Sequence, residues 1–148
     1  SAEAVSAAPA AAGTPGPGLD NPYNQTVVQT RAGLVLLDTG FGQGAPPGTG
    51  QMPAAMRAAG YDPAAVRAVV ISHFHGDHVG GLLAPDGTPA FPNAAVKVPE
   101  AEWTFWTDPG EEARASEARK PGFANARRRF APYADKVERF RPGAEVAP

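Results

Sequence analysis

His73, His75, Asp77 and His78 are the residues of this sequence best placed to do chemistry. All three histidines of the chain fall within Ile71-Ser72-His73-Phe74-His75-Gly76-Asp77-His78-Val79-Gly80-Gly81. On an extended segment, side chains two residues apart point the same way, so His73 and His75 would face one ion together. Asp77 and His78 follow where the chain turns and are placed to reach a second ion nearby. Imidazole nitrogen with carboxylate oxygen is a ligand set that suits zinc first, then manganese or iron. The ordinary alternative is a polar surface turn rich in histidine. It does not account for four ligand-type residues in order behind an apolar run. Gly76, Gly80 and Gly81 let the backbone fold tightly around such ligands and then enter a helix.

The elements that must position these residues are legible on both sides. Ala68–Ser72 reads as a buried strand that delivers His73 at its carboxyl end, where ligand sites of layered α/β folds form. Upstream, Thr26–Thr30 and Leu34–Leu37 read as a hairpin joined by Arg31-Ala32-Gly33. The second of these strands is apolar on both faces and belongs inside a sheet. It runs into Asp38-Thr39-Gly40, a setting also found around the carboxylate of aspartic proteases. That reading needs a second such aspartate or a homodimer, and leaves the histidines unexplained. Phe41–Gly50 is a glycine- and proline-rich loop. A helix follows over Pro53–Ala59, closed by Gly60, and Asp62-Pro63 repeats a helix-start signal.

Beyond the histidines, Val79–Leu83 reads as a short helix, 84–93 as a loop and Ala95–Val98 as a strand. Pro99 opens a helix with Glu100 and Glu102 in its first turn, where the helix dipole favours acids. Trp103 and Trp106 share a face of that helix and are read as core in preference to the wall of a pocket. Glu111–Lys120 and Gly122–Tyr133 read as helical stretches meeting at Pro121, and Val137–Phe140 as a last strand. A hairpin followed by alternating helix and strand implies an α/β fold, a mixed β-sheet with helices packed on it.

At 148 residues the chain is one domain, long enough to bury a core. Its 13 basic and 15 acidic residues give a net charge of -2. That balance makes no electrostatic case for nucleic acid or an anionic membrane as partner. No stretch has the length of a transmembrane helix. The chain has no cysteine, which excludes disulfides and thiolate metal sites but assigns no compartment. Arg127-Arg128-Arg129 is read as a solvated helix face. Residues 1–23, rich in Ala, Gly and Pro, are expected to form a flexible segment, with the folded part over 24–148. The glycine-rich stretch 40–50 lacks the lysine of a phosphate-binding loop.

His-x-His-x-Asp-His over His73, His75, Asp77 and His78, behind an apolar strand and ahead of Gly-Gly, resembles the signature of the metallo-β-lactamase superfamily. The resemblance runs in order from Asn24 to Phe140. It is closest to the branch with lactone- and organophosphate-hydrolysing members, on Phe91-Pro92-Asn93-Ala94 and the helix Glu100–Trp106. It implies a four-layer αβ/βα sandwich, and a hydrolase that acts on a small-molecule substrate with two metal ions, most often zinc. His73 and His75 would serve the first ion, and Asp77 and His78 the second. Asp38 would lie beneath the site and support it by hydrogen bonding. Asp77 would also orient the attacking water and take up a proton. The family pattern further requires a third histidine, a bridging carboxylate and a final histidine, and no histidine follows His78. The resemblance therefore implies the amino-terminal half of such a domain, with one apolar sheet face left open and little activity alone. It also admits an iron-dependent sulfur dioxygenase or a non-catalytic metal-binding fragment. Diiron flavin-linked members, which carry an acid where this chain has His75, fit less well.

Overall fold

The computed structural model of the chain describes residues 23–42 and 46–146. Apart from Tyr23, the segment 1–23 expected to be flexible lies outside the described residues. One five-stranded sheet organises the rest, in the order β1 (Thr26–Thr30), β2 (Gly33–Leu37), β3 (Val66–Val70), β4 (Ala95–Pro99), β5 (Val137–Phe140). β1 and β2 form the expected antiparallel hairpin, with Val28 opposite Val35 and Thr30 opposite Gly33. From β2 onward the strands run parallel, because each connection is long enough to cross back over the sheet. The sheet is mixed, as its alternation of elements implied.

Side-chain alternation sorts the sheet into two faces. Leu34, Leu36, Val69, Ile71, Val96 and Val98 point into the main core. There they meet Met56 of α1 (Met52–Ala58), Trp106 of α3 (Glu100–Thr107), and Phe123 and Phe130 of α5 (Lys120–Phe130). The opposite face is uneven. Val35 and Ala68 are buried, whereas Val28 and Leu37 are each 40% exposed, so the expected open apolar face is only partly open.

Several boundaries depart from the sequence reading, each for a local reason. β3 occupies Val66–Val70 and not Ala68–Ser72. Its ladder with β2 starts earlier, at Leu34 opposite Val66. Ser72 has meanwhile left the ladder, its N–H donating to Asp38 Oδ1 at 2.7 Å. Asp62-Pro63 starts only a 3₁₀ turn, Pro63–Ala65, because the strand begins at once with Val66. The helix after the histidines begins at Gly76, not Val79. It runs over α2 (Gly76–Val79) and continues as a 3₁₀ turn over Gly80–Leu82. Asp77 and His78 therefore stand on a helical turn. Pro121 does not divide two helices but sits in the first turn of α5, where proline is accommodated. The break falls between α4 (Pro109–Arg114) and Lys120. Arg127 is not merely solvated, since its guanidinium grips Glu112 with two hydrogen bonds of 2.6 and 2.8 Å and ties α5 to α4.

One packing detail fixes the loop ahead of β4. Tyr133 is fully buried; its hydroxyl donates to Leu82 O at 2.8 Å and accepts from Phe91 N at 3.1 Å. A buried phenol needs such partners. Here it joins Leu82, just ahead of the 84–93 loop, to Phe91 near the end of that loop.

Candidate metal centre

The three parallel strands β2, β3 and β4 end together, and the candidate residues collect at that edge. Asp38 is the first residue past β2 and, among the described residues, the one non-glycine with positive φ, at 55°. A side chain in that region costs stability, though aspartate tolerates it better than most. What the backbone turn achieves is visible in the hydrogen bonds. Asp38 N donates to Val70 O at 2.9 Å, which keeps the residue against β3. Its carboxylate then turns toward the histidine segment. Oδ1 accepts from Ser72 N at 2.7 Å, and Oδ2 from Ser72 Oγ at 2.8 Å and from His78 Nδ1 at 2.8 Å. The carboxylate is thus engaged with a serine and a histidine, not with a second aspartate as an aspartic protease would require.

Thr39, 2% exposed, holds the backbone of the same histidine. Its N–H and its hydroxyl both donate to His78 O, at 2.8 and 2.7 Å. Ring and backbone of His78 are therefore fixed from the end of β2. An imidazole whose Nδ1 donates to a carboxylate presents Nε2 as its lone-pair donor, the usual arrangement of a metal-ligating histidine.

The other candidates gather around it. The ring centroids of His73 and His78 are 3.9 Å apart, and those of His73 and His75 are 4.7 Å apart. His73 and His75 thus stand on one side of the segment. Ser72 Oγ reaches His73 Nδ1 at 3.1 Å as well as His78 Nδ1 at 3.2 Å. Among the described residues, the Asp77 carboxylate has one near partner, His78 Nε2 at 3.4 Å from its Oδ2. Burial, and then the neighbouring His78 and His75, lower the pKa of His73. Each of these disfavours the imidazolium and keeps the ring neutral, the form that ligates.

In chemistry this donor set fits a divalent cation: three imidazoles and a carboxylate free of structural duty, with one ring oriented by a second carboxylate. In disposition it is incomplete. No three His, Asp or Glu side chains among the described residues stand ready to grip a single ion together.

Next to the histidines lies a cleft of about 260 Å³ lined by His73, His75, Glu102, Phe105, Trp106 and Arg119. Trp106 is both core and wall: 8% exposed, it packs on Phe123 with 4.8 Å between ring centroids, meets the His75 ring at 6.2 Å and lines the cleft. The choice between core and pocket wall was a false one for this residue. Sequence reading also passed over Glu102 and Ser72. Glu102 Oε2 accepts from Phe74 N at 2.8 Å and from Trp106 Nε1 at 3.0 Å. Its place in a first helical turn explains an acid equally well, so nothing in the sequence singled it out. Ser72 carried one signal, its position just ahead of His73.

Removing the Asp38 carboxylate tests how far it supports this cluster. Asp38→Ala strands the Ser72 N–H, the Ser72 hydroxyl and His78 Nδ1. Loss of such an orienting partner costs about 10–100-fold in metal affinity. Zinc titration of the two chains should show the weakening. Equal affinity would reduce Asp38 to an ordinary turn residue.

The family model described as the metallo-beta-lactamase superfamily matches residues 18–147 of this chain. Comparison with curated proteins finds no match. Among solved structures, the chain is similar to "hydrolase AbOPH in beta lactamase superfamily", with 28% identity and a TM-score of 0.75 over 83% of this chain and 44% of that one. It shares its fold with AidC, a dizinc quorum-quenching lactonase solved with a product, at a TM-score of 0.83 and 20% identity over 99% of this chain and 52% of that one. A probable metal-dependent hydrolase from Staphylococcus aureus aligns over 82% of this chain and 45% of its own, with 23% identity and a TM-score of 0.63. The chain spans about half the length of these solved relatives.

Proposed function

This chain belongs to the metallo-beta-lactamase superfamily, and from that membership together with its histidine cluster we propose that it carries part of the centre of a metal-dependent hydrolase. The substrate class is an ester, a lactone or a phosphotriester, attacked by water. Residues 24–148 form the amino-terminal half of the domain on this reading, and the remaining metal ligands belong to its other half. The observation that carries the proposal is the grip on His78. Its ring is held by Asp38 and its carbonyl by Thr39, so that Nε2 faces Asp77 in a cluster with His73 and His75. A histidine serving only packing has no need of two dedicated anchors.

His73, His75, Asp77 and His78 would hold the metal, zinc by ligand preference, with two ions in a complete domain. A divalent pair supplies Lewis acidity toward a carbonyl or phosphoryl oxygen and a water that ionises near neutral pH. The protein's own part is positioning and proton transfer. Asp38 keeps His78 in one tautomer through Nδ1. Asp77, with its carboxylate uncommitted except toward His78, orients water and takes up a proton at Oδ2. Phe105 and Trp106 wall the adjacent cleft on its apolar side, and Arg119 supplies a cation at its edge.

The test compares residues 1–148 with a longer natural polypeptide containing them, each loaded with zinc and offered a lactone, an aryl ester and a phosphotriester. The longer polypeptide should hydrolyse at least one of the three and lose the activity to a chelator. Residues 1–148 alone should bind zinc weakly, since four donors shared by two ions leave each short of the three expected at a catalytic zinc. A folded, zinc-loaded longer polypeptide inert toward all three substrates would remove the hydrolase reading.

A further inference from the structure

We propose that Glu102 is the positioning residue that sets His75 relative to His73, acting from α3 through the backbone between the two histidines and through Trp106. The inference deepens the reading of His73 and His75 as metal-holding residues and rests on it. Between the end of β3 at Val70 and the start of α2 at Gly76, the segment 71–75 has no strand ladder to define it. Three of its N–H groups find partners on neighbouring elements. Ile71 N donates to Lys97 O at 2.9 Å and Ser72 N to Asp38 Oδ1. Phe74 N, midway between the two histidines, donates to Glu102 Oε2 at 2.8 Å. Two carboxylates from elements on either side of β3 thus hold the segment, and Glu102 holds the part that spaces the imidazoles.

The same oxygen makes the second link. Trp106, one helical turn on from Glu102, donates Nε1–H to Oε2 at 3.0 Å. That hydrogen bond fixes the orientation of an indole that meets the His75 ring nearly edge to face, at an interplanar angle of 76°. Phe74 is itself anchored: 1% exposed, it stacks on Phe130 at 4.5 Å and meets Trp103 at 6.4 Å. His73 and His75 therefore flank a residue that cannot shift, and the angle at which they leave it depends on the Phe74 N–H. A charge-assisted hydrogen bond is about twice as strong as a neutral one. Without it, the Phe74 and Trp106 donors lose their acceptor together.

Two substitutions separate positioning from direct ligation. Glu102→Gln keeps a carbonyl oxygen that can accept from both N–H groups but removes the charge; Glu102→Ala removes the acceptor. Proton–nitrogen NMR of the chain, without metal, reads the Phe74 amide, the Trp106 indole and the His75 ring directly. In Glu102→Ala all three signals should move and the Phe74 amide should exchange faster with solvent. In Glu102→Gln the three should stay near their original positions. Zinc titration should then show about 10–100-fold weaker binding for Glu102→Ala and rescue to within a few-fold for Glu102→Gln. An unmoved His75 signal in Glu102→Ala overturns the inference. So does zinc affinity lost equally in both variants with the two N–H signals retained in Glu102→Gln, because Glu102 would then be a ligand. Should the unsubstituted chain bind zinc too weakly to titrate, a longer polypeptide containing it takes its place in the titration, and the NMR comparison by itself decides whether Glu102 sets the histidine spacing.

Discussion

An Asp77→Asn variant, made in a polypeptide that contains this chain and turns over substrate, should lose about 10²–10⁴-fold in kcat, the usual contribution of a positioned proton-transfer group. It should unfold at nearly the same denaturant concentration as its parent. The two halves of this expectation come from the same geometry. Among the described residues, Asp77 caps no helix and neutralises no buried cation, and its near neighbour is His78 Nε2 at 3.4 Å. Surface substitutions of that kind change stability by less than about 0.5 kcal/mol. Asparagine keeps the size and one oxygen, but takes up no proton near neutral pH and ligates a cation poorly. Activity should therefore collapse while the denaturation midpoint stays. Steady-state kinetics beside urea unfolding make the check. Retention of kcat within threefold would leave Asp77 without a role in the reaction, and a large drop in stability would show its role to be structural.

The same contrast explains which features could be read from the residues alone. The cluster of His73, His75, Asp77 and His78 was legible because four side chains of ligand type stand in a tight order. The hairpin was legible because β-branched and apolar runs flank a short turn, and its register follows with Val28 opposite Val35. Asp38 could be placed only through the family pattern, since its value lies in a positive φ and three hydrogen bonds from residues far along the chain. Glu102 was not legible at all. One acid in a first helical turn looks like another, and only the packing of α3 beside the segment 71–75 adds the Phe74 N–H to the Trp106 donor of its own helix. Helix ends misled for a related reason. Pro121 looks like a breaker, yet proline is welcome in a first turn, and the true break is set by where Phe123 and Phe130 must enter the core. Local rules gave the kinds of element; tertiary contacts decided where each one ended.

The glycines after His78 show the same dependence on contact. Gly80→Ala should be among the most damaging single substitutions, costing at least about 4 kcal/mol or abolishing the cooperative unfolding transition. The cause is not conformational, because Gly80 has helical φ and ψ of -60° and -35°. On propensity alone, alanine would be favoured there by about 0.5–1 kcal/mol. Space decides against it. A Cβ at Gly80 would stand 1.9 Å from Phe41 O and 2.8 Å from its Cα, both backbone atoms that no rotamer change can move. The loops interlock on both sides: a Cβ at Gly81 would meet Thr39 O at 2.2 Å, and one at Gly42, with φ of 72°, would meet Gly80 O at 2.2 Å. Driving Phe41 away pulls Thr39 from His78 O, and with it the anchor that holds the histidine against Asp38. Loss of stability and loss of zinc binding should therefore appear together. Gly76→Ala is the matched control, since a Cβ there meets nothing within 4 Å. It should be neutral or stabilising by up to about 1 kcal/mol. Urea denaturation of the two variants, read beside zinc titration, decides the matter. A Gly80→Ala chain as stable as the Gly76→Ala chain would mean that the strut between residues 39–42 and 80–81 yields easily and does not hold the site.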